Sequence, residues 1–194
     1  MTVFTTIQAS LTGSNYYLIN VDASTAGFLG SANIAADFRA DGISNNFYIW
    51  SNTFAAGTCT GTGFYGSSTS WVSLVVQSVG WSGAANNIAA GTELNKLKAV
   101  TDDTSGKYYL HFAIKSTTTN SYAFKIGYGS SAVTIVFGTV AMESTAPYGN
   151  FTRNGQWQEI EIPMSYFKNK GLIYLEGLRQ SRILTGEPDA ADDP

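Results

Sequence analysis

Apolar and polar residues alternate over short runs along this chain, and clusters of Gly, Ser, Thr and Asn separate the runs. A period of two is the mark of half-buried strands. The pattern predicts strands at 3–11, 16–22, 33–39, 46–52, 70–79, 107–115, 121–126, 132–138, 157–162 and 171–176. The separators include TFAAGTCTGTGFYGSST, WSGAANN, TDDTSG, STTTN and GYGSS. Their residues supply positive φ or local side-chain hydrogen bonds. Helix signals are weak. The best is GTELNKLK at 91–98, with Thr92 as a cap and Leu94 and Leu97 three apart. A second short turn is expected at Ser165–Asn169, before Gly171. Many strands, few helices and no fixed repeat predict an all-β fold over 1–180. The expected form is an antiparallel β-sandwich of jelly-roll type. The segment 181–194 is acidic, contains Pro and has no apolar period, so it reads as a disordered tail or linker.

Composition sharpens this picture. Of 194 residues, 44% are hydrophobic and 13% aromatic, while only 13% are charged. That charge content is about half the usual share. Disordered chains are poor in aromatics and rich in charge, so the body of this one is globular. The net charge is -3 and no basic tract stands out, which argues against nucleic acid as a partner. No apolar run approaches the roughly twenty residues that span a bilayer, so no membrane insertion is expected. Cys59 is alone, which excludes an internal disulfide and a cysteine-rich metal site. The start, MTVFTTIQASL, lacks a basic n-region and a long apolar h-region. The charge-poor Ser, Thr, Asn and Gly surface nevertheless suits an extracellular or cell-surface protein, and a monomer is expected.

Several motifs change little. Gly61, Gly63 and Gly66 spell G-x-G-x-x-G, but Ser67, Ser68, Thr69 and Ser70 follow where a dinucleotide site needs a helix. They read as loop glycines. His111 is the sole histidine, which rules out a centre built from several. No G-x-S-x-G elbow accompanies it. Asn150-Phe151-Thr152 is a sequon. Asp22, Asp37, Asp41, Asp102 and Asp103 lie near strand ends and admit a structural calcium ion, but no EF-hand-type loop assigns ligands. No other cofactor is implied.

Two strands carry candidate chemistry. In WQEIEIP, Glu159 and Glu161 share one face of a strand while Ile160 and Ile162 point to the core. Either the two carboxyls form a glycosidase-like pair or they guard an edge strand against unwanted pairing, and the second reading is the stronger. In KYYLHFAIK, Tyr109, His111, Ala113 and Lys115 share one face, and Tyr108, Leu110, Phe112 and Ile114 the other. The second set is core. The first is a polar face bearing an aromatic ring and two donors.

The aromatic excess is the most informative feature. Sugar rings present C–H patches that stack on flat aromatic faces, with hydroxyls around the rim that amides and charged groups meet. Tyr48, Trp50 and Asn52 alternate with Phe47 and Ile49 and would line one face. Trp81 stands in a Gly-Trp-Ser-Gly loop, and Tyr65 in the long glycine-rich one. Trp71 reads as core. Trp157 falls on the face of Glu159 and Glu161, but a bulge or covering loop is expected to bury it.

The segments DFRADGISNNFYIW, TGTGFYG, WVSLVVQSVGWSG, YYLHFAIK and NGQWQEIEIPMSYFKNKGLIY lie between Ala36 and Tyr174. This stretch resembles non-catalytic β-sandwich carbohydrate-binding modules and surface glycan-binding domains of Bacteroidetes. The resemblance implies a plant or microbial polysaccharide as ligand and no catalysis. The residues then expected to hold the glycan are Tyr48, Trp50, Tyr65, Trp81 and Tyr109 by stacking, with Asn52, His111 and Lys115 bonding hydroxyls. Two alternatives stand beside this. One is a polysaccharide lyase or glycoside hydrolase using His111 with Tyr109, or Glu159 with Glu161. The other is a structural or adhesion domain.

Overall fold

The computed structural model describes residues 15–19, 29–49, 54–56, 74–76, 84–88, 97–127 and 129–173. Among these the protein is all-β, with eleven strands, two short α-helices and two single turns of 3-10 helix. The strands are β1 (Tyr16–Leu18), β2 (Ile34–Asp37), β3 (Asn45–Ile49), β4 (Phe54–Ala56), β5 (Leu74–Val76), β6 (Ala84–Ile88), β7 (Tyr109–Ile114), β8 (Tyr122–Ile126), β9 (Val133–Phe137), β10 (Pro147–Gly149) and β11 (Gln158–Pro163). The helices are α1 (Lys98–Thr101) and α2 (Met164–Asn169).

Strands β7 and β11 form an antiparallel ribbon in continuous register from Gln158↔Ile114 to Pro163↔Tyr109. Strands β8 and β9 pair antiparallel, with Phe124 opposite Ile135 and Ile126 opposite Val133. The inner faces of these two units meet in the main core. Leu110, Phe112 and Ile160 pack against a buried set that includes Ile126, Val133, Ile135, Phe137 and Ile162. Phe112 is the joint between them, 4.9 Å from the ring of Phe124 and 6.0 Å from that of Phe137. Such aromatic contacts add about 0.5–1.5 kcal/mol each beyond the area they bury. Ala36 and Phe38 at β2, Ile88 of β6, and Leu97 and Val100 at α1 close the same core.

Helix α2 is a plug on this core. Met164 and Phe167 lie three apart and are buried. The helix ends in a Schellman arrangement: Leu172 N–H bonds the carbonyl of Phe167 at 3.0 Å, and Gly171 N–H that of Lys168 at 3.1 Å. Gly171 supplies the positive φ of 98° that this ending needs. Leu172, just beyond it, returns to the core beside Phe167. The outer side of β8–β9 has its own small cluster of Ala123, Val136 and Met142. Met142 comes from a tight hairpin closed by mutual bonds with Thr145, whose tip residues Glu143 and Ser144 have φ of 47° and 59°.

The ladders depart from expectation in direction. Four pairings are antiparallel, but β1–β2 and β9–β10 run parallel. Parallel neighbours usually need a crossover of a dozen or more residues. Here the chain leaves β9, makes the Met142–Thr145 hairpin, and comes back alongside, with Gly138 N–H bonding the carbonyl of Gly149 at 2.9 Å. Strands β4 and β6 fall in stretches that read as separators, and β10 in one where no strand is expected. The expected strand at 171–176 is a turn and coil at 171–173, and 174–176 lie outside the described residues. So do the expected strand 3–11, most of the helix candidate 91–98, the glycine loop with Cys59, Trp71 and the tail 181–194. Helix α1 begins where that helix candidate ends. No helix among the described residues is long and apolar enough to cross a membrane.

Candidate functional site

The outer face of the β7–β11 ribbon gathers most of the chemistry. Alternation places Leu110, Phe112, Ile160 and Ile162 in the core, so their neighbours point the other way. The register sets Glu161 directly opposite His111, Glu159 opposite Ala113, and Pro163 opposite Tyr109. Residues directly or diagonally opposed across two strands are within reach of long side chains. The expected set Tyr109, His111, Ala113 and Lys115 therefore meets Trp157, Glu159 and Glu161 on one surface.

His111 Nε2 donates to Glu159 Oε1 at 2.5 Å. Both side chains are largely covered, 16% and 23% exposed. One oxygen or nitrogen of each of His111, Glu159 and Glu161 lies within 4.8 Å of the others, and Glu161 is exposed. At one end of the face Tyr109 is 54% exposed. At the other, Lys115 Nζ stands 4.9 Å above the centre of the Trp157 ring. A cation over an indole face contributes about 0.5–2 kcal/mol, depending on how dry it is.

Two expectations change here. Glu159 is not a plain solvent-facing edge charge, because His111 holds it. Trp157 is not sealed away by a bulge. The β7–β11 register is unbroken, and Trp157, just before β11, is half-buried beneath Lys115. Neither Trp157 nor the two glutamates stood among the expected glycan contacts. Alternation placed all three on one face of their strand, but only the cross-strand register joins that face to His111.

Of the expected contact residues, Tyr109, His111 and Lys115 come together. Tyr48 pairs through its backbone with Ala85 in the β3–β6 ladder. Its side chain, and Trp50, Asn52, Tyr65 and Trp81 entirely, lie outside the described residues.

The aspartates considered for calcium are engaged by the protein itself. Asp37 grips Arg39, whose hydrogen bond holds its carboxyl below its ordinary value. Asp41 Oδ1 accepts backbone N–H groups of Ile43, Ser44 and Asn45, which lower it likewise. Lys98 and Lys168 converge on Asp102 and lower it, tying α1 to α2. Burial opposes the charge on Asp103, yet bonds from Ser105 and from the N–H of Tyr108 outweigh it and lower its carboxyl. Asp22 lies outside the described residues.

No family model, curated protein or solved structure matches the chain.

Proposed function

We propose that this protein is a carbohydrate-binding module on a jelly-roll-type β-sandwich, and that the glycan lies across the outer face of β7–β11. One observation carries the reading: an exposed tyrosine ring shares a sheet face with a row of groups that bond hydroxyls. Tyr109 offers its ring to the C–H face of a sugar. His111, Glu159 and Glu161 offer donors and acceptors beside it, and Lys115 extends the row. From Tyr109 to Lys115 the strand runs about 20 Å, room for several sugar rings in a chain. The two packed strand units beneath supply the rigid support that such a site needs. Tyr48, Trp50, Asn52, Tyr65 and Trp81 remain further candidates for contact with the glycan. A plant or microbial polysaccharide is the ligand class, and the cell surface or its surroundings the setting.

Affinity electrophoresis over a panel of plant and microbial polysaccharides tests this. Tyr109→Ala should weaken binding at least tenfold, about 1.4 kcal/mol, while leaving the unfolding midpoint unchanged. Wild-type retardation in both Tyr109→Ala and Lys115→Ala would remove this face from the function.

The His111–Glu159 bond favours one second reading, a polysaccharide lyase. A carboxylate that orients an imidazole is how proteins prepare a general base, and Tyr109 stands two residues away on the same strand. That reading expects release of new chain ends from a polysaccharide, abolished in His111→Ala. Glycan retention without cleavage decides for the binding module.

A further inference from the structure

We propose that His111, Glu159 and Glu161 form a binding site for one divalent transition-metal ion of the zinc class. These are three of the side chains assigned to the glycan above, but the site and its test need no glycan. Its first support is the donor set. One imidazole nitrogen and two carboxylate oxygens lie within 4.8 Å of one another. Calcium and magnesium prefer all-oxygen shells, whereas imidazole with carboxylate suits zinc and its neighbours. Three protein ligands leave coordination positions open for water or a hydroxyl, the pattern of exchangeable zinc sites.

The second support is where the ligands stand. They come from two strands locked in register, Glu161 facing His111 directly and Glu159 diagonally. The strand backbones beneath are pinned by Leu110, Phe112, Ile160 and Ile162 in the core, so the distance between ligand stems is fixed. The required movement is small. Two ligands on a tetrahedral zinc lie about 3.3 Å apart, given metal–ligand bonds of about 2.0–2.1 Å. The His111–Glu159 pair, now at 2.5 Å, has to open by under an ångström. Glu161, exposed, has to swing inward. On binding, His111 ligates as the neutral ring with its proton on Nδ1 and an unprotonated Nε2, and the metal takes the place of the hydrogen bond to Glu159.

The test uses the whole chain, stripped with EDTA and dialysed, then titrated with zinc chloride by calorimetry. One equivalent is expected, with an X-ray absorption shell of nitrogen and oxygen at about 2.0–2.1 Å. Glu161→Gln and His111→Ala should each lower zinc affinity at least tenfold. Glu161 is exposed, so its variant should unfold at the wild-type midpoint without metal, which separates ligand loss from misfolding. Cys59→Ser should bind as wild type. Absent stoichiometric binding, a sulfur-containing shell, unchanged affinity in Glu161→Gln, or loss in Cys59→Ser would each overturn the assignment.

Discussion

Arg153 shows how much one side chain organises. Its guanidinium lies 3.8 Å from the ring centre of Phe151 and 4.7 Å from that of Tyr122. It also donates to the carbonyls of Thr118 and Phe137 and to Asn150 Oδ1. One planar group thus ties the loop after β7, the end of β9 and the segment after β10. Lysine has a charge but no fork, and cannot serve three acceptors at such angles. Arg153→Lys should therefore cost about 1–3 kcal/mol, combining lost charged hydrogen bonds and ring contact. Urea unfolding checks it, and a loss under half a kcal/mol would assign the arginine to the surface alone. Nothing in Phe-Thr-Arg-Asn-Gly announces this role. Beyond the adjacent Asn150 and Phe151, its partners come from the distant segments of Thr118, Tyr122 and Phe137, so the sequence around Arg153 reads only as a loop.

At the scale of elements, alternation found β7, β8, β9 and β11 within a residue or two, because each has one apolar face on a common core. The expected short turn at Ser165–Asn169, before Gly171, falls within α2. It missed β6, where Ala84 and Ala85 are fully buried. Small residues are used there for close approach, and they carry no β signature. It missed β10 because three residues, Pro-Tyr-Gly, pair only by virtue of the hairpin that returns them to β9. Close approach also governs Gly138, at the end of β9. A methyl group there would lie 2.7 Å from the Cα of Ser121, at the start of β8. Its φ of 158° is also one that L side chains rarely adopt, so a side chain there meets both a lack of space and a strained backbone. Ser121 is itself fixed, donating to the carbonyl of Val140 and accepting from its N–H. Gly138→Ala should cost about 1–3 kcal/mol or more, since backbone must move. An unchanged denaturation midpoint would contradict that close contact.

Across the whole molecule, an all-β body was legible from patterning, and the way its strands associate was not. Period two says which side of a strand is apolar, but not which strand lies next to it or in which direction. The parallel ladders and the β7–β11 partnership depend on contacts between distant segments. The candidate site shares that fate: His111 and Glu159 were each visible, their meeting was not. Charge acts at this scale too. Asp37, Asp41, Asp102 and Asp103 all have carboxyls held below their ordinary value in the fold. Folded values below unfolded ones mean stability that is complete above the unfolded value, about 3.9. It drains as pH falls from there through the folded values, because the unfolded chain takes up more protons. Urea midpoints should be level from pH 7 to 5 and fall below pH 4. Asp103→Asn should be less stable at pH 7 and show a shallower acid decline. A wild-type midpoint that stays flat to pH 2.5 would refute this.

The 48-residue separation of His111 from Glu159 has a consequence for the order of events at the ribosome. As the chain emerges, β7 waits through the synthesis of β8, β9 and β10 before β11 arrives to complete the ribbon. Until then the apolar edge of Leu110 and Phe112 lacks this neighbour, and the ligand face does not exist. The surface that would meet other molecules is thus among the last of the described parts to be assembled. A nascent chain halted before Trp157 offers that bare strand to a chaperone and has no complete binding face to offer a ligand.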